Sequence, residues 1–261
     1  MNGWRLLDTG ALPASLNMAI DEALLQLHAP GDSQPVLRFY QWSPPAVSLG
    51  YFQKLHAIDL SACRELGLDV VRRATGGRAV LHENDLTYSI VADCTRGIPS
   101  SLDAAYRLLC RGLIAGFRLL GVEAQPGHEK AGSARSDICF AHAAVADIVH
   151  QGKKFVGSAQ TWRGASFLQH GSIVLAPQEN TWTAIIKRDS GSLESVREHL
   201  KSRTVSLQEI LGRAIDPGEL KQALRAGMAE VLQIDLRPDE LRPGEWELAQ
   251  EIAPVKMHSG K

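Results

Sequence analysis

The 261-residue sequence has no surplus of charge of either sign, because its 28 Lys and Arg residues nearly balance 29 Asp and Glu residues. This balance argues against a nucleic-acid-binding or polybasic membrane-associated protein, so any anion site must be local. No run of about 18 uncharged apolar residues occurs, and no membrane span is predicted. Near Met1 the apolar stretches are broken by Arg5 and Asp8, which predicts no signal peptide. We expect a soluble, cytoplasmic protein.

Cysteine is scarce and unpaired in the sequence. The four cysteines, at positions 63, 94, 110 and 139, form no CxxC motif and no cluster with histidines. This spacing argues against a zinc site and a disulfide framework, and it fits a reducing compartment. The chain also contains neither a GxGxxG dinucleotide fingerprint nor a P-loop. We therefore expect no bound metal ion.

The order of apolar patterns predicts an α+β fold, with a mixed β-sheet flanked by helices, rather than a doubly wound parallel sheet. The clearest helices are predicted at residues 16–27, with Ser15 as the N-cap, and at 101–120. Helical patterns dominate the last part of the chain. We predict a main domain over 1–203 and a helical C-terminal region over 204–261 that packs on it.

Two chain reversals are predicted between strands. Residues 36–42 and 46–52 are rich in β-branched and aromatic residues and are separated by Ser43-Pro44-Pro45, so we expect neighbouring strands. Residues 79–81 and 86–91 flank His82-Glu83-Asn84-Asp85, which predicts a hairpin turn or a bulged bend.

The segment Arg72-Arg73-Ala74-Thr75-Gly76-Gly77-Arg78-Ala79-Val80-Leu81-His82 is the densest cluster of potential binding groups. Two glycines after a strand let the backbone approach a ligand closely, and exposed amides there can bind an anion or a carbonyl oxygen. An ordinary turn with solvated arginines explains the same spacing equally well.

Cys139 and the lysines at 153 and 154 are the candidates for covalent chemistry. Cys139 follows a segment that contains Lys130 and Arg135, and a positive setting lowers a thiol pKa, although the residues alone favour a structural or incidental cysteine slightly over a catalytic one. Strand alternation places Lys153 and Lys154 on opposite faces, so one of them should point inward. An inward lysine needs an anion beside it, whereas an edge lysine would only prevent aggregation.

Five segments together resemble the lipoate/biotin protein ligase and octanoyltransferase superfamily, and above all its cysteine-dependent octanoyltransferase branch. They occur in the family's order between about 17 and 175. The segments are Asn17-Met18-Ala19-Ile20-Asp21-Glu22-Ala23-Leu24, the arginine-glycine segment with Leu86-Thr87-Tyr88-Ser89, Cys139-Phe140, Gly152-Lys153-Lys154-Phe155-Val156-Gly157-Ser158-Ala159-Gln160, and Gln169-His170-Gly171-Ser172.

The resemblance implies a ligase-like catalytic domain and assigns roles to individual residues. Cys139 would carry the acyl group as a thioester, and Lys154, fifteen positions later, would lower the pKa of that thiol. The implied substrate-binding residues are Arg72, Arg73, Gly76, Gly77, Arg78, Ala79, His82, Gly157, Ser158, Ala159, His170 and Gly171.

The resemblance also implies an activity. An octanoyl group would pass from octanoyl-acyl carrier protein to the lysine of a lipoyl domain, such as the glycine cleavage H protein or an E2 subunit of a 2-oxoacid dehydrogenase. We expect no cofactor and no ATP, no nucleic-acid or membrane partner, and a monomer. Arg78 stands where ATP-dependent members have a third glycine, which favours acyl transfer. Three alternatives stay open: ATP-dependent lipoate ligation, octanoyl transfer between two lipoyl domains, and a catalytically silent binding module.

Overall fold

The computed structural model describes residues 3–127, 147–187 and 192–257. Within these ranges the chain forms eleven β-strands and eight α-helices. In chain order they are β1 (Gly3–Leu12), α1 (Ala14–Leu27), β2 (Val36–Trp42), β3 (Ala46–Leu49), α2 (Leu60–Glu65), β4 (Asp69–Arg72), β5 (Val80–His82), β6 (Asp85–Asp93), α3 (Leu102–Leu119), β7 (Gln125–Pro126), β8 (Ile148–His150), β9 (Lys153–Arg163), β10 (Ser166–Val174), α4 (Glu179–Ile185), α5 (Leu193–Arg203), α6 (Leu207–Leu211), α7 (Pro217–Leu232), β11 (Asp235–Asp239) and α8 (Pro243–Ile252).

Eight strands form one mixed sheet in the order β11-β1-β2-β6-β10-β9-β8-β7. Strand β1 is parallel to both of its neighbours. In the rest of the sheet, β2-β6-β10-β9-β8-β7, each strand is antiparallel to the next. Helices α3 and α7 cover one face, and α1 and α8 cover the other. This arrangement confirms the predicted α+β fold.

Strand alternation separates apolar from polar side chains across the large sheet. In β2, Leu37 and Phe39 face the core under α3, whereas Arg38 and Tyr40 face α1. Successive side chains of a strand point to opposite faces, so a polar layer forms opposite the main core. That polar layer forms one side of the pocket described below.

A second sheet of three strands, β4-β3-β5, lies beside the first. The prediction that residues 36–42 and 46–52 are neighbouring strands was therefore wrong, because β2 and β3 belong to different sheets. Pro44 and Pro45 have no backbone N–H to donate in a hairpin, and the chain crosses to the second sheet there.

The bend at His82–Asp85 also joins the two sheets rather than two paired strands. Strand β5 pairs with β3 in the small sheet, whereas β6 is a central strand of the large sheet. Asn84 takes a left-handed conformation (φ 52°), which turns the chain sharply. The predicted hairpin was wrong, but the sharp bend places His82 and Asp85 at the junction of the sheets.

The C-terminal part is not only helical. Strand β11 adds an edge to the large sheet by pairing with β1, and α7 packs on α3. The helices cross where Gly116 and Gly227 meet, since a Cβ at Gly227 would lie 2.1 Å from the Gly116 nitrogen. The division at 203/204 remains a prediction. At the other end, α1 begins at Ala14 with Pro13 as its N-cap, so Ser15 is not the cap.

Candidate active site

A pocket opens where the two sheets and α1 meet. It contains about 410 Å³ of space not occupied by protein atoms, its open mouth included. Its lining residues come from α1, from β2, β3, β5, β6, β9 and β10, and from the loop after β4: Met18, Tyr40, Trp42, Ser48, Arg73, Gly77, Val80, His82, Thr87, Gly157, Ser158, Ala159, His170, Gly171 and Ser172.

Asp21 anchors one end of a buried polar network beside this pocket. It is 1 % exposed and accepts hydrogen bonds from Arg38 Nη1 (2.7 Å), Tyr40 Oη (2.8 Å) and Ser89 Oγ (2.7 Å), and it pairs with His170 Nδ1 (2.9 Å). Burial acts to raise the pKa of Asp21, but the bond with His170 and the charge of Arg38 outweigh it, and the pKa lies below its ordinary value. Asp21 is therefore an ionised carboxylate in the interior.

Asp85 and His82 form a second buried pair at the other end of the network. Their Oδ2 and Nδ1 atoms are 2.8 Å apart, and Asp85 also accepts from Ser172 Oγ (2.6 Å) and Thr87 Oγ1 (3.1 Å). The His82 ring stacks on Trp42 with centroids 3.8 Å apart. Burial lowers the pKa of His82, and this outweighs the opposing effect of Asp85, so the imidazole is neutral at pH 7.

Arg73 connects the two pairs. On one side, its Nε donates to Thr75 Oγ1 (3.2 Å), and this hydroxyl lies 2.7 Å from His170 Nε2. On the other side, its Nη1 donates to Ser48 Oγ (3.2 Å), and that hydroxyl lies 2.8 Å from His82 Nε2. Its Nη2 donates to the carbonyl oxygens of Gly76 (2.9 Å) and Arg78 (2.7 Å). Arg73 therefore fixes the glycine loop from inside the protein.

Lys154 lies behind the pocket wall. Its ammonium is 2.9 Å from Asp147 Oδ2, and both side chains are almost fully buried, at 1 % and 3 % exposure. The other carboxylate oxygen of Asp147 accepts from the backbone N–H of Ser158 (3.4 Å), and Ser158 lines the pocket. The alternation argument is confirmed, since Lys154 points inward beside an anion while Lys153 is exposed.

The structure brings most of the predicted binding residues together. Arg73, Gly77, His82, Gly157, Ser158, Ala159, His170 and Gly171 line the pocket, whereas Arg72, Gly76, Arg78 and Ala79 do not. Arg72 donates to backbone carbonyls of residues 50–53, and Ala79 is buried in the core of the small sheet. Cys139, Lys130 and Arg135 lie outside the described residues.

Several lining residues were missed by the sequence analysis. Tyr40 and Trp42 lie on β2 and Ser48 on β3, outside the segments that were singled out as candidate sites. The role of Asp21, which lies in a segment that carries the resemblance, could have been predicted. An acidic residue on the apolar face of a helix becomes buried, and a buried charge needs a partner of opposite charge. Nothing in the local sequence indicated that this partner would be Arg38.

Two of the described cysteines, Cys63 and Cys110, are poor nucleophiles. Burial raises the pKa of Cys63 to about 11 and, together with the nearby Asp147, that of Cys110 to about 12. Cys94 is partly exposed, and its Sγ donates to the carbonyl of Ala165 (3.3 Å). A thiol that stays protonated attacks thioesters slowly, so neither Cys63 nor Cys110 is suited to act as the nucleophile.

The described residues contain neither a metal-binding cluster nor a membrane-spanning helix. In residues 3–127, 147–187 and 192–257 no group of three or more His, Cys, Asp or Glu side chains is placed to bind a metal ion. Over the same ranges, no helix combines the length and apolar character needed to span a membrane.

Comparison with known protein families identifies the class of this enzyme. The family model of the lipoyl protein ligase A/B catalytic domain matches residues 13–229, which contain every residue that lines the pocket. The chain therefore belongs to this family, and the predicted family and fold are confirmed.

The most informative relatives are bacterial octanoyltransferases. Octanoyltransferase LipM of Geobacillus kaustophilus is 40% identical over 98% of this chain and 96% of its own length, and LipM of Moorella thermoacetica is 41% identical over 93% and 91%. These near-full-length matches confirm the predicted enzyme class, an acyltransferase of protein lipoylation.

Lipoate-protein ligases are among the solved structures with the same fold. A lipoate-protein ligase A bound with ATP superimposes with a TM-score of 0.80 at 28% identity, covering 97% of this chain and 95% of that one. A bi-partite lipoate protein ligase of Thermoplasma acidophilum, solved in a study that includes its E2 lipoyl domain, gives a TM-score of 0.82 at 25% identity, covering 97% and 92%.

Proposed function

We propose that this protein transfers an octanoyl group from octanoyl-acyl carrier protein to the target lysine of a lipoyl domain, through a thioester on Cys139 and without ATP. The acceptor is the glycine cleavage H protein or an E2 lipoyl domain, and the enzyme acts in the cytoplasm as a monomer. The similarity to proteins named octanoyltransferase supports the acyl group, and the lipoyl domain named with one structural relative supports the acceptor class.

The observation that carries the thioester chemistry is the buried Lys154–Asp147 pair, connected to the pocket wall through Ser158. Removing an ammonium group from water is costly, and the carboxylate of Asp147 offsets that cost for Lys154, which is 1 % exposed. An ammonium near a thiol favours the thiolate over the neutral form. Lys154 lies fifteen positions after Cys139, in agreement with the cysteine and lysine spacing of the branch that the sequence resembles.

The proposed reaction has two balanced steps. In the first, the Cys139 thiolate attacks the donor thioester carbonyl, a new C–S bond forms, the donor C–S bond breaks, and the carrier thiolate takes up a proton. In the second, the neutral amine of the acceptor lysine attacks the enzyme thioester, an amide bond forms, Cys139 leaves as a thiolate, and the amine proton passes to solvent. The donor thioester supplies the activation that ATP supplies in a ligase.

The apolar part of the pocket lining supports an aliphatic acyl group as the substrate. Met18, Trp42, Val80 and Ala159 offer apolar surface there. Burial of a methylene stabilises a bound chain by about 0.8 kcal/mol. Shortening the acyl group from eight to six carbons should therefore weaken binding by about 1.6 kcal/mol, roughly fifteenfold.

Intact-protein mass spectrometry tests the intermediate. Wild-type enzyme mixed with octanoyl-acyl carrier protein should gain one octanoyl group that hydroxylamine removes, and Cys139→Ala should gain none. Cys94→Ala is the matched control, because Cys94 is the partly exposed thiol among the described cysteines, and it should acylate normally. An adduct that persists in Cys139→Ala would refute the proposed nucleophile.

Lys154→Met tests the role of the buried ammonium. We expect the acylation rate at pH 7 to fall by roughly 10²-fold or more, as for the loss of other preorganised electrostatic groups. Without the ammonium the thiol pKa rises, so activity should recover partly as the pH increases toward the ordinary cysteine value of about 8.5. A wild-type rate, or a loss that does not change with pH, would contradict this role.

A second candidate function is ATP-dependent ligation, favoured by the structural similarity to a ligase bound with ATP. It predicts an acyl-adenylate from free octanoate or lipoate and ATP, detectable as release of pyrophosphate. The octanoyltransferase proposal predicts none. A third alternative is octanoyl transfer between two lipoyl domains. With octanoylated H protein as the only donor, that reaction would proceed, whereas the proposed octanoyltransferase, which needs octanoyl-acyl carrier protein, would not react.

A further inference from the structure

Two exposed aromatic side chains lie in the aromatic loop, residues 50–54, which follows β3. Tyr51 is 55 % exposed and Phe52 is 87 % exposed, and their rings meet edge to face with centroids 4.8 Å apart. The other large apolar side chains exposed in the described residues are aliphatic. Exposed aromatic residues are enriched at protein interfaces, where they provide large contact areas.

The aromatic loop is fixed directly against the glycine loop of the pocket. The Tyr51 N–H donates to the Thr75 carbonyl (2.9 Å), and Gly50 lies so close to Gly77 that a Cβ at position 50 would be 1.9 Å from the Gly77 carbonyl oxygen. Arg72 Nη1 donates to the carbonyl oxygens of Gly50 (2.6 Å), Tyr51 (3.0 Å) and Gln53 (2.8 Å). Gly77 lines the pocket, so the aromatic rings are presented on a braced backbone beside it.

Basic side chains outnumber acidic ones in the segments around the aromatic loop. Residues 50–59 and 69–83 contain one lysine and three arginines against Asp59, Asp69 and Glu83, whereas the whole chain has a net charge of −1. Lys54 is exposed, and Arg72 and Arg78 are partly exposed. A positive rim around an apolar centre is complementary to an acidic protein surface and speeds association with it.

We propose that Tyr51 and Phe52 are the anchors on which the acceptor lipoyl domain docks, with acidic side chains of that domain facing Lys54, Arg72 and Arg78. The inference rests on the proposed function, since it names the surface that presents the acceptor to the same pocket. A lysine side chain has a stem of only four methylenes, so the body of the acceptor must lie against the pocket rim for its amine to reach the thioester. A donor that carries its acyl group on a long flexible arm has no such requirement.

A binding experiment tests the surface independently of catalysis. In the Cys139→Ala background, unmodified H protein should bind with its affinity reduced by roughly tenfold or more when Phe52→Ala is added, as for loss of an interface anchor. Leu119→Ala, which removes an exposed aliphatic side chain from α3, should leave the affinity unchanged. Lys54→Glu should also reduce the affinity for H protein. This reduction should be larger at low salt than at high salt, because salt screens the contribution of exposed charges.

Half-reaction kinetics then separate the acceptor from the donor. Phe52→Ala should slow discharge of the octanoyl-enzyme to low concentrations of H protein by the same factor, and it should leave acylation by octanoyl-acyl carrier protein within twofold of wild type. Slower acylation with normal discharge would assign the surface to the carrier protein and overturn the proposal. Unchanged H-protein binding would also overturn it, whereas a wild-type enzyme that binds H protein but forms no adduct would refute only the proposed function.

Discussion

The two histidine–carboxylate pairs of the pocket share one hydrogen-bond geometry but differ in the charge around them. His170 and Asp21 are joined at 2.9 Å beside Arg38, and His82 and Asp85 are joined at 2.8 Å beside two hydroxyl groups. Arg38 balances a permanent charge at the first pair, whereas neutral donors dominate at the second. The histidine–carboxylate pair at Asp21 is therefore part of a structural ion pair with Arg38, whereas the pair of His82 and Asp85 is a pH-sensitive hydrogen bond.

Asp21→Asn should produce the largest change, because it leaves the guanidinium of Arg38 buried without its carboxylate. Loss of one partner of a buried ion pair costs about 3–5 kcal/mol, measured as the free energy of unfolding in urea. Adding Arg38→Met to Asp21→Asn removes the unpaired charge and should recover part of that loss. If the double variant is less stable than the single one, the ion-pair interpretation of this end is wrong.

Asp85→Asn should have a smaller effect, because its partners His82, Thr87 and Ser172 are neutral donors. Each unsatisfied buried donor costs about 1–3 kcal/mol, and an amide oxygen keeps part of the acceptor capacity. We expect a loss of about 1–3 kcal/mol in the same urea titration. Equal losses for the Asn variants at 21 and 85 would remove the distinction between the two pairs.

The pH dependence of stability should show the smallest effect, and it should come from His82. Its pKa is lowered in the folded state, so below about pH 6.5 the unfolded chain binds a proton that the folded chain does not. Stability should therefore fall as the pH drops below 6.5, by at most about 1.4 kcal/mol per pH unit for this group.

His82→Gln removes that titration while keeping hydrogen-bonding capacity at the position. The free energy of unfolding, measured by denaturant titration between pH 7 and pH 5, should decrease less steeply in this variant than in the wild type. Parallel curves for the two proteins would show that His82 titrates identically in the folded and unfolded states.

Local patterns predicted much of the fold. Apolar spacing placed α3 within one residue at each end, and the alternation over 153–158 predicted correctly that one lysine points inward. The wrong predictions were about strand pairing. Whether β2 pairs with β3, or β5 with β6, depends on contacts with strands far along the chain, which neighbouring residues do not determine.

The same limit applies to the pocket. Its predicted parts belong to three short segments with unusual composition, which supply Arg73, Gly77 and His82, then Gly157, Ser158 and Ala159, and then His170 and Gly171. Its missed parts, Tyr40, Trp42 and Ser48, come from ordinary-looking strands that border the pocket only because the chain passes between two sheets near Pro44. Residues that owe their role to sheet order carry no local sequence signal.

The contact between Gly50 and Gly77 has a consequence for how this enzyme can evolve. A side chain at position 50 would displace the backbone of Gly77 and, with it, the loop that Arg73 holds in place. The neighbouring residues 51–54 face solvent for most of their length and meet no such constraint. Selection can therefore diversify the exposed loop toward new protein surfaces while its glycine attachment keeps the pocket intact, so recognition and chemistry are able to change separately.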